Sequence, residues 1–388
     1  MTTCLFVIAG VSLLVAMHPF VTYPLSLYVL KTLGRATPKG VLAHVSNSQP
    51  TFAVCMCAYN EERVIEAKVR NLLALREREP GLAIHVYVDA ASDRTADILR
   101  RYADDIDLYV ATERHGKTYG MNLLSTRAQA DILLFTDANV FLDLECIADL
   151  RRHFADAAVG CVCGNLNYTN GTSSVTARSG SLYWRFEEAL KRLESDTGSM
   201  MGADGSIFAI RRSLRRTPPD HIIDDMYVSL MTIVEGYRLV QARDVRAYEE
   251  SVTHSGEEFA RKVRIACQAF NVHRLIWPRL RGLDALTRYK YLSHKFLRWL
   301  SIYFLGLAGL TFVLGLFAAG YFAIALALVA LAAGALLLGA RSSISPFVQI
   351  YDLLTALAGA GVGVWRSLRG ERFQTWTPAA SIRSGAAK

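Results

Sequence analysis

Apolar and polar positions divide this chain into short runs with distinct periods. Residues 50–57 form a β-rich apolar run that ends at Ala58-Tyr59-Asn60-Glu61-Glu62. A helical pattern follows, with apolar residues at Val64, Ile65, Val69, Leu72, Leu73 and Leu75. The next strand is Ala83–Val88, where Ile84, Val86 and Val88 alternate, closed by Asp89-Ala90-Ala91-Ser92-Asp93. Residues 95–102 read as helix, 107–112 as a short strand, 116–128 as a loop and helix, and 132–135 as a strand running into Thr136-Asp137-Ala138-Asn139. Strand alternates with helix, which predicts a parallel α/β sheet. Ligands of such sheets lie beyond the carboxyl ends of the strands. Three of these strands end in Asn60-Glu61, Asp89 and Asp137. Each alone reads as a turn or a helix cap; three on one edge suggest a site.

The second half has longer elements. Residues 180–194 are an amphipathic helix with Trp184, Phe186 and Leu190 among its apolar positions. Gly202-Ala203-Asp204-Gly205 is a loop before a strand-like stretch at 206–210. Asp224-Asp225 open a helix running to about Val234, Gly236 ends it, and 238–242 is another strand. Residues 261–274 form a basic helix that puts Arg261, Arg264 and Gln268 on one face.

Two apolar runs change the picture. Residues 4–30 and 300–340 contain no Asp, Glu, Lys or Arg. At about 20 residues per crossing, the first fits one membrane helix and the second two. A signal peptide is the alternative for the first run, but it lacks a basic leading region. A third run, 346–365, contains Asp352 and several glycines; it is a weaker span or an interfacial helix. Lys31, Arg35 and Lys39 follow the first run, and Arg366, Arg369, Arg372 and Arg383 make the tail basic. The residues that follow the first run and the C-terminal tail therefore face the cytoplasm. The expected organisation is a transmembrane helix over 1–31, a cytoplasmic domain over 46–280, an interfacial helix over 281–299 and two transmembrane helices over 300–340. Residues 346–388 supply an interfacial helix or third crossing and a basic cytoplasmic tail.

The 388 residues are 52% hydrophobic with a net charge of +8. The charge fits lysines and arginines flanking membrane segments against anionic headgroups. No basic run is interleaved with aromatics, which argues against nucleic-acid binding. Cys55/Cys57 and Cys161/Cys163 would each share a strand face, and no CxxC or Cys/His metal spacing occurs, so the cysteines read as reduced core thiols.

The acidic strand ends suit a divalent cation bridging a diphosphate. Mg2+ or Mn2+ takes oxygen ligands and neutralises a leaving nucleoside diphosphate. Asp137 and Asn139, two residues apart, both reach one ligand. Lys117, after Gly116, suits a phosphate, and Asp89 a base or ribose. Displacement at a sugar carbon needs a base for the acceptor hydroxyl, and Asp225 is the candidate. Its helix N-terminal position lowers its pKa and Asp224 raises it.

These motifs resemble, in order, those of membrane-bound glycosyltransferases of family 2, the group of cellulose, hyaluronan and poly-N-acetylglucosamine synthases. The resemblance covers residues 50–299 and, more loosely, the membrane helices. It implies an α/β GT-A domain with N- and C-terminal transmembrane helices at the inner membrane. Ala58, Tyr59, Asn60 and Glu62 are similar to the opening nucleotide-binding turn, and Asp89 to the base-contacting Asp of the second. Arg114-His115-Gly116-Lys117 with Asn122 is similar to the phosphate-side segment. Asp137-Ala138-Asn139 takes the metal-binding DxD position, and Gly202-Ala203-Asp204-Gly205 resembles the acceptor loop. Asp224-Asp225 takes the place of a pair whose second acid is the base. The resemblance implies an inverting hexosyltransferase using a UDP-sugar, with a growing polysaccharide or lipid-linked glycan as acceptor and export or polymerisation proteins as partners. DxD has become DxN, and the QxxRW of processive synthases is represented by Gln268 without its Trp.

Alternatives stay open. Arg261, Arg264 and Gln268 close over the diphosphate or form a basic face on lipid. Tyr183 and Trp184 stack on a sugar or pack in the core. His254 is a candidate third metal ligand. Glu249-Glu250 and Glu257-Glu258 read as solvated or salt-bridged, and residues 294–299 as an interfacial anchor. A single-addition glycolipid-forming enzyme, a nucleotidyltransferase and an inactive scaffold or transporter subunit are the competing functions.

Overall fold

The computed structural model describes residues 1–34, 49–168, 175–249, 255–342 and 344–375, without the side chains of 175–183 and 255–258. Arg35, Lys39, Glu250, His254 and Arg383, and the side chains of Tyr183, Glu257 and Glu258, lie outside these residues.

Eight strands form one sheet. They are β1 Phe52–Ala58, β2 Ala83–Val88, β3 Asp107–Val110, β4 Ile132–Asp137, β5 Phe141–Leu142, β6 Val159–Tyr168, β7 Ile207–Arg211 and β8 Arg238–Glu249, in the order β3-β2-β1-β4-β7-β6-β8-β5. β3, β2, β1 and β4 are parallel, as the alternating pattern predicts. Beyond β4 the directions are mixed, with β6 and β8 again parallel. β7 runs antiparallel to both β4 and β6, and β5 antiparallel to β8. β8 also extends seven residues beyond the predicted 238–242.

Period-two alternation sorts each strand into two cores. Phe52, Val54 and Met56 of β1 pack with Ile65, Val69 and Leu72 of α3 (Ile65–Arg78). Ala53 and Cys55 face the other way, toward Met121 and Leu124 of α5 (Lys117–Arg127). Full burial of one such Leu or Val contributes about 1.5–3 kcal/mol. All seven cysteines are free thiols, and Cys161 and Cys163 lie in the same core.

α4 (Thr95–Arg100) and α6 (Cys146–Phe154) complete the first half. α7 (Val175–Asp196), α8 (Asp224–Val234) and α9 (Ser255–Leu280) belong to the second half. α10 (Ala285–Tyr291) passes through a π-helical turn, Leu292–Phe296, into α11 (Leu297–Ala318). Residues 285–318 thus form a continuous 34-residue helix, not an interfacial helix followed by a separate span. With α12 (Phe322–Arg341) and α13 (Phe347–Leu368) it makes three helices long and apolar enough to cross a membrane.

The N-terminal segment departs from the single helix expected over 1–31. It is α1 (Thr2–Met17) and α2 (Thr22–Thr32), bent by 56°. Pro19 lies in the break, where its ring removes a backbone donor. α1 packs antiparallel to α11: Phe6 meets Phe312 edge-on at 5.7 Å and His18 Nε2 meets Ser293 Oγ at 2.9 Å. α2 turns onto α7, where Tyr23 and Leu27 bury against Leu190 and the Tyr23 hydroxyl donates to Glu194.

α13 lies along α9 in the same direction. A side chain at Gly363 would stand 2.6 Å from the Val263 carbonyl, so only glycine permits this approach. Ser367 Oγ donates to Asn271 Oδ1 at 2.6 Å, and Arg274 donates to the Ser367 carbonyl at 2.5 Å.

Candidate active site

The first two strand-end turns are stitched to each other. Asn60 has φ +53°, in the left-handed region that Asn tolerates. Its Oδ1 accepts from the Ser92 amide at 2.8 Å. Glu61 N donates to Thr95 Oγ1 at 2.7 Å, Glu62 N donates to Asp93 Oδ2 at 3.0 Å, and Arg94 N donates to Glu62 Oε2 at 3.2 Å. Asn60 and Glu62 therefore shape the pocket floor through the neighbouring turn. Arg114 lies 3.6 Å over the Tyr59 ring.

Asp89 is buried at the end of β2. Its oxygens accept from the His115 amide at 2.8 Å and the Gly116 amide at 3.1 Å. Gly116 has φ +91°, and a Cβ there would collide with the Gln374 carbonyl. Residues 371–375, which follow α13, reach this point as a strap. Gln374 donates to the His115 carbonyl at 3.1 Å, Gln268 Nε2 to the Phe373 carbonyl at 2.8 Å and Asn271 to the Glu371 carbonyl at 3.0 Å. Gln268 thus holds the strap. Asn122 donates to the Pro218 carbonyl at 2.9 Å and accepts from Arg215 at 2.7 Å, which commits its amide to the 215–220 loop.

Beyond these turns the site is built from charge. Lys117 Nζ lies 2.5 Å from Asp137 Oδ1. Burial works against its ammonium, but Asp137, Asp224 and Asp225 outweigh that and raise its pKa. Asp225 opens α8, with Oδ1 accepting from the Met226 amide at 2.5 Å and Oδ2 pressed against Gly205. Any side chain at Gly205 would displace that carboxylate. Burial, and then Asp224, push Asp225 up to about 7, against the pull of Lys117. Burial and the like charge outweigh the helix terminus. Asp224 is buried behind it, and its Oδ2 has no hydrogen-bond partner.

The acceptor-side loop is fixed from below. Ala203 N donates to Ser229 Oγ at 2.9 Å, and Asp204 Oδ2 lies 3.6 Å from Lys191. The Lys295 side chain stands 3.6 Å from the position of a Gly202 Cβ. Arg264 of α9 is drawn down to about 10 by burial and by Arg261, with Asp137 and Asp225 near enough to oppose this. Of the sequence-predicted residues, Lys117, Asp137, Asp225, Gly205 and Arg264 come together here. Trp184 packs edge-on against Tyr168 at 5.5 Å and donates to the Leu166 carbonyl, which is the core-packing alternative.

Two residues escaped the sequence reading. Glu249 ends β8, one step past the Phe141–Tyr248 pair, and its Oε1 accepts from Asn139 Nδ2 at 2.8 Å. It is not simply solvated; burial, then Asp137 and Asp204, push it up to about 8. Lys68 of α3 is fully buried beneath the Asp137–Asn139 turn, donating to Thr136 Oγ1 at 3.3 Å and to the Val140 carbonyl. Burial lowers it to about 7 despite Asp137. A lysine in an amphipathic helix reads as solvent-facing; only its place opposite Thr136 gives it away.

Asp137 and Asn139 offer hard oxygen donors, which fit Mg2+ or Mn2+ with diphosphate oxygens completing the shell. Among the described residues no group of three or more His, Cys, Asp or Glu converges on one point.

Comparison with known proteins agrees with this geometry. Residues 53–217 match the sequence profile of the family described as Glycosyl transferase family 2. An N-acetylglucosaminyltransferase of Rhizobium sp. (strain N33) is 23% identical over 256 residues, covering 62% of this chain and 57% of that protein. The chain thus matches little more than half the length of that curated relative. A mannosyltransferase from Pyrobaculum calidifontis, solved with GDP-Man and Mn2+, superposes with a TM-score of 0.71 at 22% identity, over 95% of this chain and 99% of that one. Residues 53–217 therefore match a glycosyltransferase family 2 domain, and the chain has a GT-A fold.

Proposed function

We propose that the protein is an inverting glycosyltransferase that moves a sugar from a UDP-sugar to a hydroxyl of a growing polysaccharide or lipid-linked glycan at the membrane surface. One observation carries the reading: Lys117, Asp137, Gly205 and Asp225 surround a single point. A general base, a phosphate-directed ammonium and the DxN carboxylate meet there. Asp225 takes the proton of the acceptor hydroxyl. The freed oxygen attacks the anomeric carbon from the side opposite the diphosphate, whose bond to that carbon breaks. Lys117 and Arg264 face the charge that develops on the leaving group. Asp137 and Asn139 would hold a Mg2+ or Mn2+, which when bound would supply further neutralisation of the leaving diphosphate. The base near 7 suits proton transfer at neutral pH.

The helix packing supports the following membrane arrangement as part of the proposal. α1 and the 285–318 helix cross together, α12 returns, and α13 lies in the cytoplasmic interface on α9 with Arg366, Arg369 and Arg372 toward headgroups. The catalytic domain stays in the cytoplasm, at the inner membrane. The test is to incubate the purified protein with UDP- and GDP-sugars and a membrane extract, and to weigh the products. Transfer from a UDP-sugar, with UDP released, is expected. Release of GDP alone would correct the donor, and no turnover with any donor would overturn the reading.

A further inference from the structure

We propose that Glu249 is the second carboxylate ligand of the cation-diphosphate site, taking the charge that Asn139 lacks; the proposal rests on the metal-assisted reading above. Affinity of an oxygen site for a hard divalent cation follows the number of ligand charges. The DxN turn alone offers one, on Asp137. The other acids nearby have different posts. Asp204 accepts from the Ser206 amide and hydroxyl and faces Lys191. Asp225 is set against Gly205 and Met226 N, and Asp224 is buried behind it. Glu249 is the acid on the Asn139 side of the site, with Oε1 2.8 Å from the Asn139 amide nitrogen and Asp137 close enough to act on it electrostatically.

Its placement is built into the sheet. The antiparallel register Phe141–Tyr248 and Leu142–Ala247 ties the end of β8 to the strand that directly follows the DxN turn. Lys68 fixes the same turn from below through Thr136 and the Val140 carbonyl. A carboxylate has about four lone-pair sites, so the Asn139 contact and a metal bond are compatible.

The test measures Mn2+ binding by the full chain in detergent, from the loss of the free-ion electron paramagnetic resonance signal, with Mn2+ alone and with UDP or GDP. Glu249→Gln keeps an acceptor for the Asn139 amide and removes only the charge. It is expected to weaken Mn2+ binding about tenfold or more, a size seen for ligand-shell substitutions. Asn139→Asp in the wild-type background is expected to tighten it. The double variant E249Q/N139D returns the charge to the turn and is expected to recover wild-type affinity. Wild-type Mn2+ affinity in a folded E249Q protein overturns the assignment while leaving the metal reading intact. If E249Q does not fold, E249A is measured instead, and unchanged affinity again overturns it. Wild-type protein that binds no Mn2+ with either nucleotide overturns both.

Discussion

The nucleotide-side turns and the catalytic centre are a few residues apart yet are stabilised by opposite means. At Ala58–Glu62 and Asp89–Thr95, nearly every polar side chain closes a hydrogen bond with the facing turn. At the centre, Asp224, Asp225 and Glu249 crowd around Lys117 and Arg264, and burial pushes two of the three acids upward. The first region is closed by its own hydrogen bonds. The second gathers buried carboxylates around Lys117 and Arg264, chemistry that suits a cation and a diphosphate. Substitutions should therefore affect stability in the first region and chemistry in the second.

The sharpest break is Asp225→Asn. It removes the base but keeps the shape, so transfer should fall by about 10^2–10^4-fold, with unchanged or raised thermal stability because a crowded charge is gone. Initial rates and a melting curve check both. Lys117→Met comes next. Transfer should fall by about 100-fold, because the ammonium beside Asp137 is lost; a variant that lost stability but kept its rate would erase the contrast. pH separates the regions without mutation. Asp225 and Glu249 have folded pKa values raised above their ordinary ones, so between about pH 5 and 7 the folded state binds more protons than the unfolded. Stability from these groups is present at low pH and lost as pH rises, while the rate climbs as Asp225 deprotonates. Rate and melting temperature should run in opposite directions across that window. The smallest effect is Asn60→Ala. Losing the Ser92 contact and the left-handed residue should cost about 1 kcal/mol, raise the donor KM and leave kcat nearly unchanged.

The parallel half of the fold was legible because each strand is a short apolar run closed by turn residues. The second half was not, since β6, β7 and β8 pair with partners far away in sequence, and nothing local states that β7 is antiparallel. Site residues followed the same division. Asp89, Lys117, Asp137 and Asp225 sit at element ends, where a polar residue stands out against an apolar run. Glu249 was hidden because β8 continues past the polar Arg243-Asp244 pair to reach Asn139. Lys68 was hidden because its helix position alone suggests exposure. The roles of Gln268 and Asn122 depend on the strap and the 215–220 loop, which only tertiary packing brings near.

The strap has a consequence for how the protein is made. The sheet is complete in the growing chain once Glu249 has been synthesised. The wall against His115 and Gly116 arrives only after α9 to α13, including three helices apolar enough for a bilayer. A nascent catalytic domain is thus open at its nucleotide edge until those helices have been placed. If the proposed membrane placement holds, setting those helices and closing the edge at His115 and Gly116 would be a single event.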